Sequence, residues 1–193
     1  ALSLKRALAG TLLALFAGIC SGLAAGYVKS LRAFLNPLIT VLLSTPPIVW
    51  IVLAIFWFHF GDKSVLFTVV IVVAPMTFAS AAQAMASVST EYTELFDSYK
   101  SSILKKLRYL YAPHLIERLL PAIYVAVSNG AKVLVMAELL GANDGVGAKI
   151  AEARVNIDTV EVMAYVCLVI AFTALFDYLV TKPLEILLMP WSR

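Results

Sequence analysis

Three long stretches without a charged residue constrain this chain of 193 residues most strongly. They cover residues 7–27, 33–61 and 64–90, and none of them contains Asp, Glu, Lys or Arg. About 20 consecutive apolar residues suffice for a helix to cross the hydrocarbon core of a bilayer. Each stretch can therefore hold one membrane-spanning helix.

Two further spans, residues 119–140 and 160–180, tolerate two charged residues each. The composition agrees with a membrane protein, since 62% of the residues are hydrophobic and 14% are charged. Soluble domains contain about 45–50% apolar and about 25% charged residues. We therefore predict an all-α fold, a polytopic transmembrane helix bundle of about five spans that occupies residues 1–193 as a single domain.

The charges between the spans predict the orientation of the bundle. Nine basic residues lie in the gaps on one side of the predicted spans, and five lie on the other side. Cytoplasmic loops carry the excess of Lys and Arg. This difference places the loop at residues 90–118, together with the C-terminus, in the cytoplasm, and the protein in the cell (inner or plasma) membrane.

Small residues recur every four positions along the first span, at Gly10, Ala14, Gly18, Gly22 and Gly26. Residues at this spacing share one helix face. A face of small residues lets two helix backbones approach closely in lipid. We expect ordinary close packing inside the bundle rather than a specific dimer contact.

Prolines interrupt the second and third stretches, at Pro46, Pro47 and Pro75. A proline removes one backbone hydrogen bond and kinks a helix. We therefore expect both spans to be kinked or broken. Broken helices often border a transport path in membrane proteins, so Pro46 and Pro47 are candidate path residues.

The residue pattern of the loop at residues 90–118 predicts an amphipathic helix that Ser89 or Thr90 can cap. Its apolar residues recur at intervals of three or four, with lysines and arginines between them: Phe96, Tyr99, Ile103, Leu107 and Leu110. This pattern is typical of a basic helix on the anionic inner leaflet. It is equally typical of a helix that binds a cytoplasmic protein. The periodicity alone leaves both alternatives open.

The same loop resembles a motif of ABC importer permeases, E-A-A-x3-G-x9-I-x-L-P, which joins two of their helices in the cytoplasm. Glu94 and Pro113 stand 19 residues apart, as the motif requires, and Leu110 occupies its Ile position. Four other positions depart from the motif: Leu95, Phe96, Lys100 and Ala112.

The flanking segments extend this resemblance over essentially the whole chain. They resemble the permeases of the nitrate, taurine and sulfonate group in the opening R-A-L-A-G (6–10), W-F-H-F-G (57–61), A-E-L-L-G (137–141) and D-G-V-G (144–147). Asp177 and Trp191 match an acid and a terminal tryptophan of that group. Such permeases usually begin with one more helix, so we expect a sixth, N-terminal span to be missing from this sequence.

The resemblance implies a type I importer permease that works with several partners. These are a second permease subunit, most simply in a homodimer, cytoplasmic ABC ATPase subunits and an extracytoplasmic substrate-binding protein. ATP and Mg would bind to the ATPase, so this chain is expected to bind no cofactor and to catalyse no reaction. The segment implied to dock into the ATPase comprises Glu94, Leu95, Phe96, Asp97, Ser98, Tyr99 and Lys100.

The departures from the motif have two interpretations. Glycine alone tolerates positive φ at little cost, so Lys100 in its place puts the tight turn of the motif in question. Either the loop has another geometry, or the groove of the ATPase is matched to the bulkier Leu95 and Phe96.

Three polar residues in the fourth span are candidates for the translocation path. Asn129 and Lys132 share a helix face and could attract an anionic substrate, although Lys132 could instead extend toward a headgroup or pair with another subunit. Glu138 is a candidate because charges within spans are commonly functional. It lies near the helix end, which favours a cap or an interhelical hydrogen bond.

Other classes of function have weaker support in the sequence. An ion-coupled secondary transporter is the main alternative, but we find no internal repeat of the kind such folds often contain. A membrane-embedded enzyme lacks a recognisable nucleophile–base motif, and His59 and His114 are too isolated to predict a metal site. The resemblance implies a small solute such as nitrate, bicarbonate, taurine, an alkyl sulfonate or a vitamin precursor.

Overall fold

The computed structural model describes residues 2–176 and residue 178, and every regular element within them is helical. In chain order, α1 to α9 are Leu2–Tyr27, Lys29–Ser44, Pro47–Phe58, Asp62–Ala86, Thr90–Ser98, Ile103–Lys106, Ala112–Gly141, Val146–Val155 and Thr159–Phe176. A π-helical segment, Leu107–Tyr111, joins α6 to α7. The predicted all-α class is confirmed. Asp177 and Trp191, two residues of the family resemblance, lie outside the described residues.

Within the described residues, three helices are long and apolar enough to cross a membrane: Leu2–Tyr27, Asp62–Ala86 and the continuous helix Ile103–Gly141. The pair α2 and α3 is a fourth candidate, bent by 96° at the break between its two helices. The shorter apolar helix α9 corresponds to the start of the fifth predicted span, whose end lies outside the described residues. The predicted spans thus correspond to three long helices, one broken pair and α9.

The prolines differ in their effect on these helices. Thr45 and Pro46 each precede a proline, which disfavours helical backbone, and both are extended, with ψ of 125° and 139°. Two successive extended residues end α2 and redirect the chain. Pro75 does not break α4, which runs through it for 25 residues, so a break at Pro75 is excluded and a kink there stays a prediction. Pro75 is buried, and packing around it supports a helix that has lost one backbone bond.

The small-residue face of α1 packs against α4, the helix it contacts most extensively. A Cβ added at Gly18, Gly22 or Gly26 would lie 2.5–2.6 Å from a backbone carbonyl oxygen of α4. Helix backbones approach this closely only where side chains are minimal. The expected close packing inside the bundle is confirmed, and its partner is α4.

The main apolar core lies where α1, α3, α4 and α7 meet. Its fully buried residues include Ala14, Ile51, Val69 and Ala137. Many large apolar side chains also lie on the outer surface; Phe16, for example, is 72% exposed. An apolar outer surface of this extent is typical of a protein that lies in a membrane.

The helices are arranged so that the start of α1, the start of α4 and the end of α7 meet. Arg6, in the second turn of α1, contacts Asp62 at the start of α4 and Glu138 near the end of α7. We call this region the Gly141 end of the bundle. The loop at residues 90–118 joins α4 to α7 at the opposite end, so a cytoplasmic loop would make the Gly141 end extracytoplasmic.

Candidate functional site

The predicted docking segment ends in a tight turn at Lys100. The φ angle of Lys100 is 47°, in the left-handed region. Its N–H donates to the carbonyl oxygen of Asp97 at 2.9 Å, and the N–H of Ser101 donates to that of Phe96 at 3.0 Å. These two bonds form a Schellman motif, in which glycine usually occupies the left-handed position. A lysine therefore forms the tight turn that the sequence had put in question.

This turn divides the predicted amphipathic helix into two parts. Phe96 belongs to α5, whereas Ile103 begins a separate helix that continues through the π-helical segment to Gly141. The prediction of one amphipathic helix is therefore wrong, because the Schellman turn interrupts the helix between its apolar positions. The apolar side chains of α5 and those of the helix that begins at Ile103 therefore do not share one helix face.

Side chains of α5 and its turn are largely exposed. Leu95 is 50% exposed and Tyr99 is 79% exposed, whereas Phe96 is half-buried. Asp97 forms a salt bridge with Lys106, which ties α5 to α6. Of the remaining segment residues, Glu94 and Ser98 are also exposed, and the hydroxyl of Ser98 donates to the carbonyl oxygen of Glu94 at 3.0 Å. The segment is thus a short, fixed helix with apolar side chains on its surface.

One face of α7 forms an exposed stripe along the helix. Its positions recur at three- or four-residue spacing: Pro121, Val125, Asn129, Lys132, Met136 and Leu140. Lys132 is exposed and Asn129 is half-buried, with its amide Nδ2 3.5 Å from Sδ of Met76 on α4. Within the described residues Lys132 forms no salt bridge. The structure therefore brings these two candidates onto one face, as predicted.

This stripe continues into a cleft of about 640 Å³ between α4 and α7. The cleft lies toward the end of the bundle that carries the loop at residues 90–118, which we call the loop end. Its lining includes Pro121 and Val125 of the stripe and Met76, which Asn129 contacts. Its polar lining includes Ser80, Gln83, His114, Glu117 and Arg118. A recess lined by apolar, acidic and basic side chains thus leads along α7 toward Asn129 and Lys132.

Glu138 lies away from this stripe, in a cluster centred on Arg6. Its carboxylate accepts hydrogen bonds from Arg6 Nη1 at 3.1 Å, from Ser3 Oγ at 2.8 Å and from the N–H of Gly147 at 3.2 Å. Glu138 is fully buried, and Arg6 is 5% exposed. The expected interhelical hydrogen bond is present. Both carboxylate oxygens of Glu138 are hydrogen-bonded within the chain, so Asn129 and Lys132 are the polar candidates that lie on the stripe.

Two further carboxylates complete this cluster. Arg6 Nε donates to Asp62 at 2.7 Å, and Arg6 Nη2 contacts the carboxylates of both Asp62 and Asp144. Arg6 Nη1 also donates to the backbone oxygen of Asp144 at 2.9 Å. Sequence reasoning did not single out Arg6, Asp62 or Asp144 as site residues. The available signal was a cation at the start of an apolar span, where a charge requires a partner.

Pro46 and Pro47 lie at the bend between α2 and α3. Pro46 is exposed and Pro47 is half-buried. α3 then packs on α4 and α7, and Ile55 lies against Gly141. Their place in a translocation path remains a prediction.

A family model described as "Binding-protein-dependent transport system inner membrane component" matches residues 10–182. The chain is 27% identical over 191 residues to the taurine transport system permease TauC of Escherichia coli, covering 99% of this chain and 69% of that protein. It is 25% identical over 192 residues to the putative aliphatic sulfonates transport permease SsuC of Bacillus subtilis, covering 100% and 69%. It is 27% identical over 146 residues to the nitrate import permease NrtB of Synechococcus elongatus, covering 76% and 52%.

The fold is also similar to a solved structure. A chain of the MetNI methionine ABC transporter, in an inward-facing conformation, superimposes with a TM-score of 0.76 at 16% sequence identity. The alignment covers 98% of this chain and 94% of that one. At this identity the likeness concerns the fold, which is that of a type I importer permease.

Proposed function

Since this chain belongs to the family of binding-protein-dependent transport system inner membrane components, we propose that it forms the solute path of an importer driven by ATP hydrolysis on a separate subunit. It is a multi-pass protein of the inner membrane and an ABC importer permease. ATP and Mg would bind to cytoplasmic ATPase subunits. An extracytoplasmic binding protein would deliver the solute, and a second copy of the chain would complete the path.

The observation that carries this proposal is the short helix α5 with its turn at Lys100. It stands at the position of the family's cytoplasmic motif and exposes Leu95 and Tyr99 beside the half-buried Phe96. A Schellman motif fixes its end, and the Asp97–Lys106 salt bridge ties it to α6. A rigid helix with surface apolar residues is suited to a groove on a partner protein. We assign that partner as the ATPase.

The exposed stripe of α7 supports the path. Lys132 lies nine residues before Gly141, which is about 14 Å along the helix. An exposed ammonium at that depth is costly against lipid tails. A second copy across this stripe would enclose Lys132 and Asn129 in a common aqueous path, which the cleft between α4 and α7 would continue toward the loop end.

The charge on Lys132 favours a small anionic solute. In a two-fold symmetric pair each copy contributes one Lys132, so two ammonium groups would border the path. The names of the similar permeases give taurine, aliphatic sulfonates and nitrate as their solutes. A sulfonate or a nitrate carries the negative charge that two lysines would attract. We therefore propose a solute of this class, with vitamin precursors as the alternative.

Reconstitution tests the proposal directly. The chain would be co-expressed with its ATPase and binding protein, incorporated into liposomes and assayed with labelled taurine and labelled nitrate. We expect uptake that requires ATP and the binding protein. Uptake driven by an ion gradient without the ATPase would contradict the proposal and favour an ion-coupled secondary transporter.

A further inference from the structure

The cluster around Arg6 contains contacts of two kinds. The contact with Glu138 is closed to solvent, since Glu138 is 0% exposed and Arg6 is 5% exposed. The contacts with Asp62 and Asp144 are open on the carboxylate side, because these two side chains are each 61% exposed while the guanidinium they share is buried. Separating a buried ion pair leaves a charge without water, whereas water readily replaces an exposed partner. The two kinds of contact therefore differ greatly in the cost of opening.

The exposed contacts hold a particular part of the chain. Asp144 lies in the turn between α7 and α8, and Asp62 begins α4. The turn packs against the buried Arg6–Glu138 pair, since a Cβ added at Gly145 would lie 2.5 Å from the Glu138 carboxylate. Ser3 Oγ links the same parts, because it donates to Glu138 and accepts from the N–H of Val146. Arg6 thus attaches the turn before α8 to α1 and, through Asp62, to α4, while Ser3 and Glu138 hold the first amides of α8.

We propose that Arg6 is a latch with a permanent arm and a releasable arm. The Arg6–Glu138 pair keeps α1 and α7 together throughout, and the shared contacts with Asp62 and Asp144 hold the turn at residues 142–145 closed over the Gly141 end. Release of the two aspartates frees this turn and the start of α8 while α1 and α7 stay joined. In the proposed importer, on which this role rests, that movement would open the extracytoplasmic end.

Arginine is suited to this task for a geometric reason. Its planar fork presents separate N–H groups to several carboxylates at once, whereas lysine offers one compact ammonium. In this cluster Nη1 contacts Glu138 and the backbone oxygen of Asp144, Nη2 contacts the carboxylates of Asp62 and Asp144, and Nε donates to Asp62. Arg6→Lys therefore retains a charge opposite Glu138 but cannot hold both aspartates. It tests the releasable arm without removing the buried charge.

Hydrogen exchange measured by mass spectrometry on the full chain in lipid nanodiscs tests this latch. We expect Asp62→Asn/Asp144→Asn and Arg6→Lys each to speed exchange in residues 142–150 by about tenfold, because the turn that Asp144 attaches directly precedes Val146 and Gly147, whose amides bond Ser3 and Glu138. Exchange in the rest of α1 and α7 should be unchanged. Glu152→Gln is the matched control, since it removes an exposed carboxylate of α8 that pairs with Lys149 instead.

Two results would overturn the latch. Unchanged exchange at residues 142–150 in both variants would show that the aspartates hold nothing. Equally faster exchange throughout α1 and α7 would show that Arg6 supports the whole bundle rather than a separate arm. Neither result depends on ATP or on transport, so failure of the latch is distinguishable from failure of the proposed function.

Discussion

Gly22 of α1 lies directly against the backbone of Phe78 in α4. A Cβ at position 22 would be 2.5 Å from the carbonyl oxygen of Phe78 and 2.8 Å from Cβ of Ala81. No rotation of a side chain can relieve a clash with a backbone oxygen. The two helices would have to move apart along the interface that the spacing of small residues predicted.

Gly22→Leu should therefore destabilise the bundle. Overpacking a close interface costs about 1–3 kcal/mol. Thermal stability of the detergent-solubilised chain, followed by fluorescence-detected size-exclusion chromatography, measures the effect. Ala24→Leu, at an exposed position of the same helix, is the control and should change little. Equal stability of both variants would mean that the Gly22 face is not packed.

Lys100→Gly should stabilise the turn that ends α5. A non-glycine residue in the left-handed region costs about 1–2 kcal/mol relative to right-handed backbone, and glycine avoids most of that cost. Slower hydrogen exchange at the amides of residues 100 and 101 would report the more stable turn. Lys100→Val should have the opposite effect, since a β-branched residue tolerates positive φ least. Faster exchange in the glycine variant would contradict the prediction.

Ile157→Gly should stabilise the turn between α8 and α9 for the same reason. Ile157 has a φ of 58°, and its side chain is 86% exposed, so little packing is lost. The bonds from Ile157 N–H to Arg154 and from Asp158 N–H to Ala153 form another Schellman motif. We expect a gain of about 1 kcal/mol in a thermal unfolding assay.

Val155→Gly is the matched control for Ile157→Gly. Val155 is also exposed, at 79%, but belongs to the last turn of α8, where glycine costs up to about 1 kcal/mol. The two glycine substitutions, two residues apart, should therefore have opposite signs. The same sign for both would show that backbone conformation does not decide the outcome.

The contacts within the bundle differ in how far the sequence predicts them. The small-residue face of α1 follows from spacing alone, because helical geometry places every fourth residue on one side. The pairing of Arg6 with Glu138 does not, since the two residues are 132 positions apart. The sequence indicated that Glu138 needs a partner, but only the packing of α1 beside α7 identifies which cation supplies it.

The prolines and the loop show the same limit. Pro46 and Pro47 break a helix because two consecutive residues precede proline, a local rule that the sequence contains. Pro75 stays within α4 because the surrounding bundle holds the helix, which is a tertiary effect. At Lys100 the preference for glycine left the turn in question, and only the structure shows that two Schellman hydrogen bonds hold a lysine in the left-handed region.

Lys132→Met should impair transport while leaving the assembled complex intact. Methionine has nearly the same length but no charge, so the stripe of α7 would lose its attraction for an anion. We expect uptake of labelled taurine or nitrate in proteoliposomes to fall by about tenfold, corresponding to about 1.4 kcal/mol. Lys132→Arg should retain most uptake, and Lys149→Met, at an exposed lysine of α8, should retain all of it. Full uptake with Lys132→Met would indicate a lysine that only reaches toward headgroups.

Leu95→Ala and Phe96→Ala should weaken the association with the ATPase. Leu95 is 50% exposed, so its truncation removes contact surface with little effect on folding, whereas half-buried Phe96 also supports α5. Truncating an interface anchor commonly costs about 2 kcal/mol or more. We therefore expect reduced co-purification of the ATPase, or ATP hydrolysis that no longer responds to the loaded binding protein, while the permease still inserts and folds.

Tyr109→Ala separates this coupling role from membrane binding. Tyr109 is 65% exposed and lies in the π-helical segment, outside residues 94–100. If residues 90–118 only rest on the inner leaflet, loss of any one exposed apolar side chain should leave ATPase association unchanged. If α5 fills a groove of the ATPase, Leu95→Ala and Phe96→Ala should reduce co-purification, and Tyr109→Ala should not. Wild-type co-purification and wild-type stimulation of hydrolysis in all three variants would contradict the coupling role of α5, and the importer assignment would then rest on the family match and the fold.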